Sequence, residues 1–195
     1  MTALWGEDAK HVPRGDYKTS IDLRNILTRD FIIVTQFNLY VDAMKKNLLQ
    51  PETRAEIIAR IDKLSPDAKS QWGKMNVNQM LRHTAYGLEN AMGEMKATAK
   101  SGPIMRAIMR FVVLKTDIPA PKGKAETFPE FNTVENGVNP PDFHVVRDQL
   151  KDAINRFPTS AKYGEESPLL GKMSKQDWAR LNYGHLDHHL KQFGA

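Results

Sequence analysis

Three of the six histidines fall within the last stretch of the chain, SKQDWARLNYGHLDHHLKQFGA, residues 174–195. His185 and His189 stand one helical turn apart, and two neutral imidazoles so placed can converge on one divalent metal ion. A metal held by imidazoles keeps open positions where a bound water or thiol is acidified toward neutral pH. Helical phase picks this pair out of the three. With about 100° per residue and His185 set at zero, Trp178, Phe193 and Leu186 fall between about 20° and 100°, so the apolar face is centred near 70°. His189 sits at about 40°, inside that face, and His185 at its edge, while His188 falls near 300°, toward the polar side. Two partly buried histidines with backbone or carboxylate partners account for the same spacing equally well. A metal site needs a third ligand from elsewhere in the chain.

His83 is the candidate. It lies in a segment whose N-cap is Asn76, with Gln79 three residues on, and whose helical pattern is expected to run to about Lys96. With Val77 at zero, Leu81, Thr84, Leu88, Met92 and Met95 gather within about 60° as a core stripe. His83 falls near 240°, on a small, polar flank with Gln79, Gly87 and Asn90, of the kind a pocket wall needs. Taken alone, that position suits a partly exposed surface histidine as well. An internal echo links the two segments: Gly73-Lys74-Met75-Asn76 before one helix matches Gly171-Lys172-Met173-Ser174 before the other. Counted from the two caps, the three histidines differ by one helical turn each, so they keep nearly the same phase.

The elements that must position these residues are helical. The terminal helix has Ser174 as N-cap, Asp177 at N3, and Gly194 where a C′ residue ends a helix. Residues 51–64 begin with Pro51 and Glu52 and present Ile57, Ile58, Ile61 and Leu64 on one face. Residues 104–114 form a further helical stretch whose Met105, Ile108, Met109 and Val112 read as core filler. Residues 142–157 carry Phe143, Val146, Leu150, Ile154 and Phe157 at three- and four-residue steps, with His144 off the stripe and Pro158 as the stop. A Pro- and Gly-rich connection, 116–141, is long enough to fold over a bundle mouth, and a second loop covers 159–170. No strand alternation competes with this pattern. The expected fold is all-α, a four-helix bundle with long inter-helix loops.

Composition narrows the function classes. A chain of 195 residues with 41% hydrophobic and 26% charged residues can form a core without staples. With no cysteine, disulfides, thiolate ligands and a cysteine nucleophile are excluded. No apolar run approaches a membrane span and no signal-peptide pattern is present, which favours the cytoplasm. The net charge is +5, but Lys and Arg are dispersed among acids, as in Arg147-Asp148 and Lys151-Asp152, so neither a nucleic-acid nor a membrane partner is expected. Residues 1–43 lack a sustained period, whereas a well-patterned segment begins at Met44. We therefore expect a domain over 44–195 and read 1–43 as a leader, a translated upstream region or an optional arm, with Met44 as a candidate start; the alternative is a divergent extra helix packed on the domain.

Gln79-Met80-Leu81-Arg82-His83, taken with Leu181-x-Tyr183-x-His185-Leu186-Asp187-His188-His189-Leu190-x-Gln192-Phe193-Gly194, resembles the DinB/YfiT-like superfamily of metalloenzymes. The match is closer to its small branch of unassigned function that carries the C-terminal HLDHHLxQFG motif. The resemblance spans about residues 44–195. It implies a four-helix bundle, commonly a homodimer, with a divalent metal on three histidines that map onto His83, His185 and His189. Characterised members of that superfamily include metal-dependent transferases that use bacillithiol or mycothiol, and a mycothiol-dependent isomerase.

Two functions follow as expectations. One is a metal-dependent enzyme, a thiol-dependent S-transferase acting on a small electrophilic substrate, with hydrolysis as the nearest variant. Its metal would be Zn or Ni ahead of Fe or Cu, its cosubstrate a low-molecular-weight thiol, and Gln79 and Tyr183 its nearby polar groups. The other is a non-catalytic metal-binding or interaction module whose histidines are structural.

Overall fold

The computed structural model describes residues 45–98, 101–116, 118, 121–123 and 127–195; the arm 1–43 and the candidate start Met44 lie outside them. Among the described residues the fold is all-α, with five α-helices, two 3-10 turns and one very short β-ladder. Helix α1, Pro51–Asp62, starts on Pro51 with Glu52 in its first turn and buries Thr53, Ile57 and Ile61. Leu64, just past its end, is buried too, while Ile58 is half-buried, so the inward face is narrower than the sequence pattern suggested.

Helix α2, Val77–Ala91, has the expected capping box, in which Asn76 and Gln79 each bond the other's backbone N–H. It stops five residues before Lys96. Gly93 adopts φ 72°, which an L side chain would resist, and closes a Schellman motif. The Gly93 N–H donates to the Asn90 carbonyl at 3.1 Å and the Glu94 N–H to the Glu89 carbonyl at 2.8 Å. Leu81 and Leu88 are fully buried on its stripe, each contributing on the order of 1.5–3 kcal/mol.

Helix α3, Pro103–Lys115, departs from the sequence reading. Met105 and Ile108, expected in the core, are 51% and 52% exposed, and Leu114 is its one fully buried residue. The side that meets the core carries Met109, Val113 and Leu114 instead, and on that same side the Arg110 guanidinium donates to Asp177 Oδ2 at 2.6 Å.

Helix α4, Phe143–Arg156, is capped by Asp142, whose carboxylate accepts from the His144 and Val145 N–H groups. Phe143, Val146, Leu150 and Ile154 are buried as their spacing predicts, and His144 is exposed. Phe157 opens a 3-10 turn, Phe157–Thr159, in which Pro158 prevents continuation. Strands β1 (Glu166–Ser167) and β2 (Gly171–Lys172) pair antiparallel within the second loop. Two residues per strand leave no alternation for a sequence reading to detect.

Helix α5, Lys175–Gln192, carries a capping box of Ser174 and Asp177. Gly194, at φ 78°, ends it by the same device as Gly93, with the Ala195 N–H donating to the Leu190 carbonyl at 2.9 Å. Helix α2 packs against both α4 and α5. Trp178 of α5 anchors the shared core, fully buried, with its indole N–H donating to the Gly164 carbonyl at 2.6 Å. Arg60 ties α1 to the end of α5 through Asp187 Oδ1 at 2.8 Å and the Ala195 carbonyl at 3.0 Å. No described helix is long and apolar enough to cross a membrane.

Candidate metal centre

The packing of α2 on α5 brings three imidazoles to one point. His83, His185 and His189 each offer a ring nitrogen, and these atoms lie within 4.8 Å of one another. Every pair of rings has its centroids 4.8 Å apart and its planes between 76° and 82°. Edge-on rings around a common centre direct nitrogens, not π-faces, toward it. His188 stays outside the cluster, with its ring edge against Trp72 and His189, as the helical phase indicated. His83 is 5% and His189 9% exposed, so the surface-histidine reading of His83 does not hold. It is buried because the long connection comes back over it.

That connection supplies the partner fixing the His83 ring. The 3-10 turn Pro129–Phe131 places the Phe131 carbonyl 2.9 Å from His83 Nδ1. A carbonyl can only accept, so Nδ1 carries the proton and Nε2 keeps its lone pair for the cluster. His189 is fixed the same way, its Nδ1 lying 2.8 Å from Gln192 Oε1. The Gln192 amide is itself oriented, since its Nε2 donates to the Trp72 carbonyl. Its oxygen must therefore be the atom facing His189. Gln192 is 3% exposed, so neither bond is shared with bulk water. Outer partners of this kind set tautomer and ring orientation in histidine metal sites.

His185 Nε2 lies 2.9 Å from His83 Nε2. With the His83 proton held at Nδ1, this contact is a hydrogen bond while His185 carries Nε2–H, and a ligand pair when the His185 proton sits on Nδ1 instead. Gly87 gives the His185 ring its room. A Cβ at that position would stand 2.9 Å from His185 Nδ1 and 3.1 Å from Asn182 Oδ1. Gly73, at φ 79°, lets the loop approach Gln192, where a Cβ would come within 2.6 Å of Nε2.

The electrostatics favour neutral ligands. Burial pushes His83 down, only partly offset by the Phe131 carbonyl. Burial, then the neighbouring His83 and His189, hold His185 well below the usual imidazole range. Burial takes His189 down to about 3, against the opposing pull of Gln192. Neutral imidazole is the form that ligates a metal. The donor set is all nitrogen, which suits Zn, Ni, Fe or Cu rather than Mg or Ca.

The sequence-predicted residues His83, His185 and His189 are thus brought together, but the two polar neighbours suggested beside them are not. The Gln79 side chain bonds the Asn76 N–H at 3.0 Å in the capping box. Tyr183 lies among the charges of Asp187, Lys46, Glu56 and Arg60. Asp187, the acid nearest in sequence to the ligands, is engaged by Arg60 and Lys191, each at 2.8 Å. Sequence reasoning missed Gln192 and the Phe131 carbonyl. The first had a signal in its position three residues past His189, one turn along the helix; the second is a backbone atom in a loop and had none.

Residues 43–195 match a family described as "Protein of unknown function (DUF1569)". No curated protein and no solved structure matches the chain.

Proposed function

The chain belongs to the family described as Protein of unknown function (DUF1569), and from its three-histidine centre we propose that it is a divalent-metal-dependent enzyme. The substrate class we assign is a small electrophile, and the reaction S-transfer from a low-molecular-weight thiol; hydrolysis is the nearest variant. The observation that carries this reading is the pair of Nδ1 hydrogen bonds, from His83 to Phe131 and from His189 to Gln192. They hold two imidazoles in the tautomer whose Nε2 can ligate and leave both of those lone pairs for the cluster formed with His185. When bound, the metal supplies Lewis acidity that lowers the pKa of a coordinated thiol or water. The protein's own part is to present three neutral nitrogens, leave the remaining positions to solvent and substrate, and keep carboxylates out of the cluster.

In this reading the helices are those of a four-helix bundle of the DinB-like kind, with Zn or Ni as the resident ion, acting in the cytoplasm. The resemblance of Gln79 to His83 and of Leu181 to Gly194 supports that placement. A second reading, a non-catalytic module whose metal only stabilises the fold, draws on the burial of His83 and His189, since structural sites are closed to solvent. Metal analysis of purified protein, with His83→Ala, His185→Ala and His189→Ala beside it, separates the two. An open site loses its ion while the helical signal persists; a structural one unfolds with it. A screen of low-molecular-weight thiols against generic electrophiles then tests the reaction. Metal-dependent consumption of thiol that all three variants abolish is expected, and a metal-loaded protein inert to every pair would count against S-transfer.

A further inference from the structure

Helix α3 has its polarity reversed for a helix at a protein surface. Its two arginines lie on the inner side: the Arg110 guanidinium donates to Asp177 Oδ2 at 2.6 Å and to the Lys172 carbonyl, while Arg106 Nε donates to the Ser101 carbonyl at 3.0 Å just ahead of the helix, with its Cδ beside Gly171 of β2. The outward side instead carries Ile104, Met105, Ile108 and Phe111, exposed by 78%, 51%, 52% and 63%. At 100° per residue these four fall within about 120° of one another, one continuous stripe along the helix. A surface helix normally shows the opposite arrangement. We propose that this stripe is the contact surface between two copies of the chain, packed as an antiparallel pair of α3 helices about a twofold axis near Ile108.

Three features favour a second copy as the occupant. The first is area: the four side chains expose roughly 500 Å² per chain, so two copies reach the ~1,000 Å² that a specific interface needs before any flanking group is added. The second is self-complementarity. A twofold contact places the same patch against itself, which requires a patch without net charge at its centre, and Ile104, Ile108 and Phe111 form one. The third is where the cations lie. A helix made for anionic lipid sets basic residues beside its apolar stripe on the outer side. In α3 the arginines turn inward, and Lys115, which is exposed, stands at the far end of the helix. In an antiparallel pair the two Lys115 residues stand roughly 20 Å apart, beyond the screening length at physiological salt. A parallel pair would bring them side by side and align the two helix dipoles.

Sedimentation equilibrium on the full chain tests this, together with cross-linking that the absence of native cysteine makes clean. The wild type should be dimeric at micromolar concentration, and Ile108→Glu and Phe111→Glu should each raise the dissociation constant at least tenfold, on the order of 1.4 kcal/mol or more. Ile108→Cys should link to its counterpart on oxidation, while Ile104→Cys, roughly 12 Å from its own counterpart in the antiparallel arrangement, should not. The Ile108→Cys arm introduces no charge and keeps the test valid should a glutamate variant lose helical signal. A wild type monomeric at about 100 µM overturns the proposal, as does a dimer that both glutamate variants leave intact. So does a monomer that sediments with anionic phosphatidylserine vesicles through the same residues, which would assign the stripe to a lipid surface.

Discussion

Replacing Gln192 with leucine removes a side chain of similar size from a position only 3% exposed, and with it two hydrogen bonds. One is the 2.8 Å contact that holds the His189 proton at Nδ1; the other anchors the Trp72 carbonyl. Losing an outer partner of a ligating histidine costs about 10–100-fold in metal affinity, or roughly 1.4–2.7 kcal/mol. Leaving the buried Nδ1–H and the carbonyl without partners costs about 1–3 kcal/mol each in stability. Gln192→Glu separates the two effects. A carboxylate still accepts from Nδ1–H, and more strongly than an amide, but it presents an acceptor to the Trp72 carbonyl where the amide presented a donor. The expected pattern is weakened metal binding and a lowered Tm for leucine, with binding at or above wild type and a lowered Tm for glutamate. Competition against a chromophoric chelator reads the first quantity and thermal unfolding of the metal-free protein the second. A folded Gln192→Leu protein that binds metal like the wild type would refute the claim that this amide sets the His189 tautomer.

Gly87→Ala should raise intrinsic helix propensity by about 1 kcal/mol yet weaken metal binding, because the new Cβ meets His185 Nδ1 at 2.9 Å and must displace the ring; equilibrium dialysis with Zn checks it, and unchanged affinity would show that the ring has slack. Burial alone would raise the Asp177 carboxyl, but the Ser174 N–H and hydroxyl and the Arg110 guanidinium outweigh it and hold the group below its ordinary value. A depressed carboxylate contributes stability that is complete above its unfolded pKa of about 3.9 and is lost as pH falls through that value toward the folded one. Urea unfolding should accordingly show Asp177→Asn less stable than wild type at pH 7 by about 1 kcal/mol, the scale of a lost cap, with the gap closing in acid. A gap that persists unchanged at low pH would assign the difference to something other than the charge.

Much of this architecture was legible because it is local. The 3.6-residue period set His185 and His189 on one face and His188 off it. Asn76, Ser174 and Gly194 marked helix ends through capping chemistry that needs no tertiary partner. The sequence reading failed where distant groups decide. Helix α2 stops at Ala91 because a glycine at φ 72° overrides a continuing pattern that Met95 seemed to extend. Helix α3 turns Met109, Val113 and Leu114 to the core and pairs Arg110 with Asp177, 67 residues away in the chain, so its inward side is not the stripe of Met105 and Ile108. Phe131 contributes through its backbone, and no side-chain pattern advertises a carbonyl. Gln79 was visible as a polar group near His83, but its amide serves the helix cap.

The central claim is that one ion sits among three nitrogens from α2 and α5. Anomalous diffraction from crystals of the metal-loaded protein, recorded on either side of the Zn or Ni absorption edge, tests it most directly. The account predicts a single peak per chain at bonding distance, about 2.0–2.1 Å, from Nε2 of His83, His185 and His189. A peak elsewhere, or one that contacts the α5 pair without His83, would contradict it.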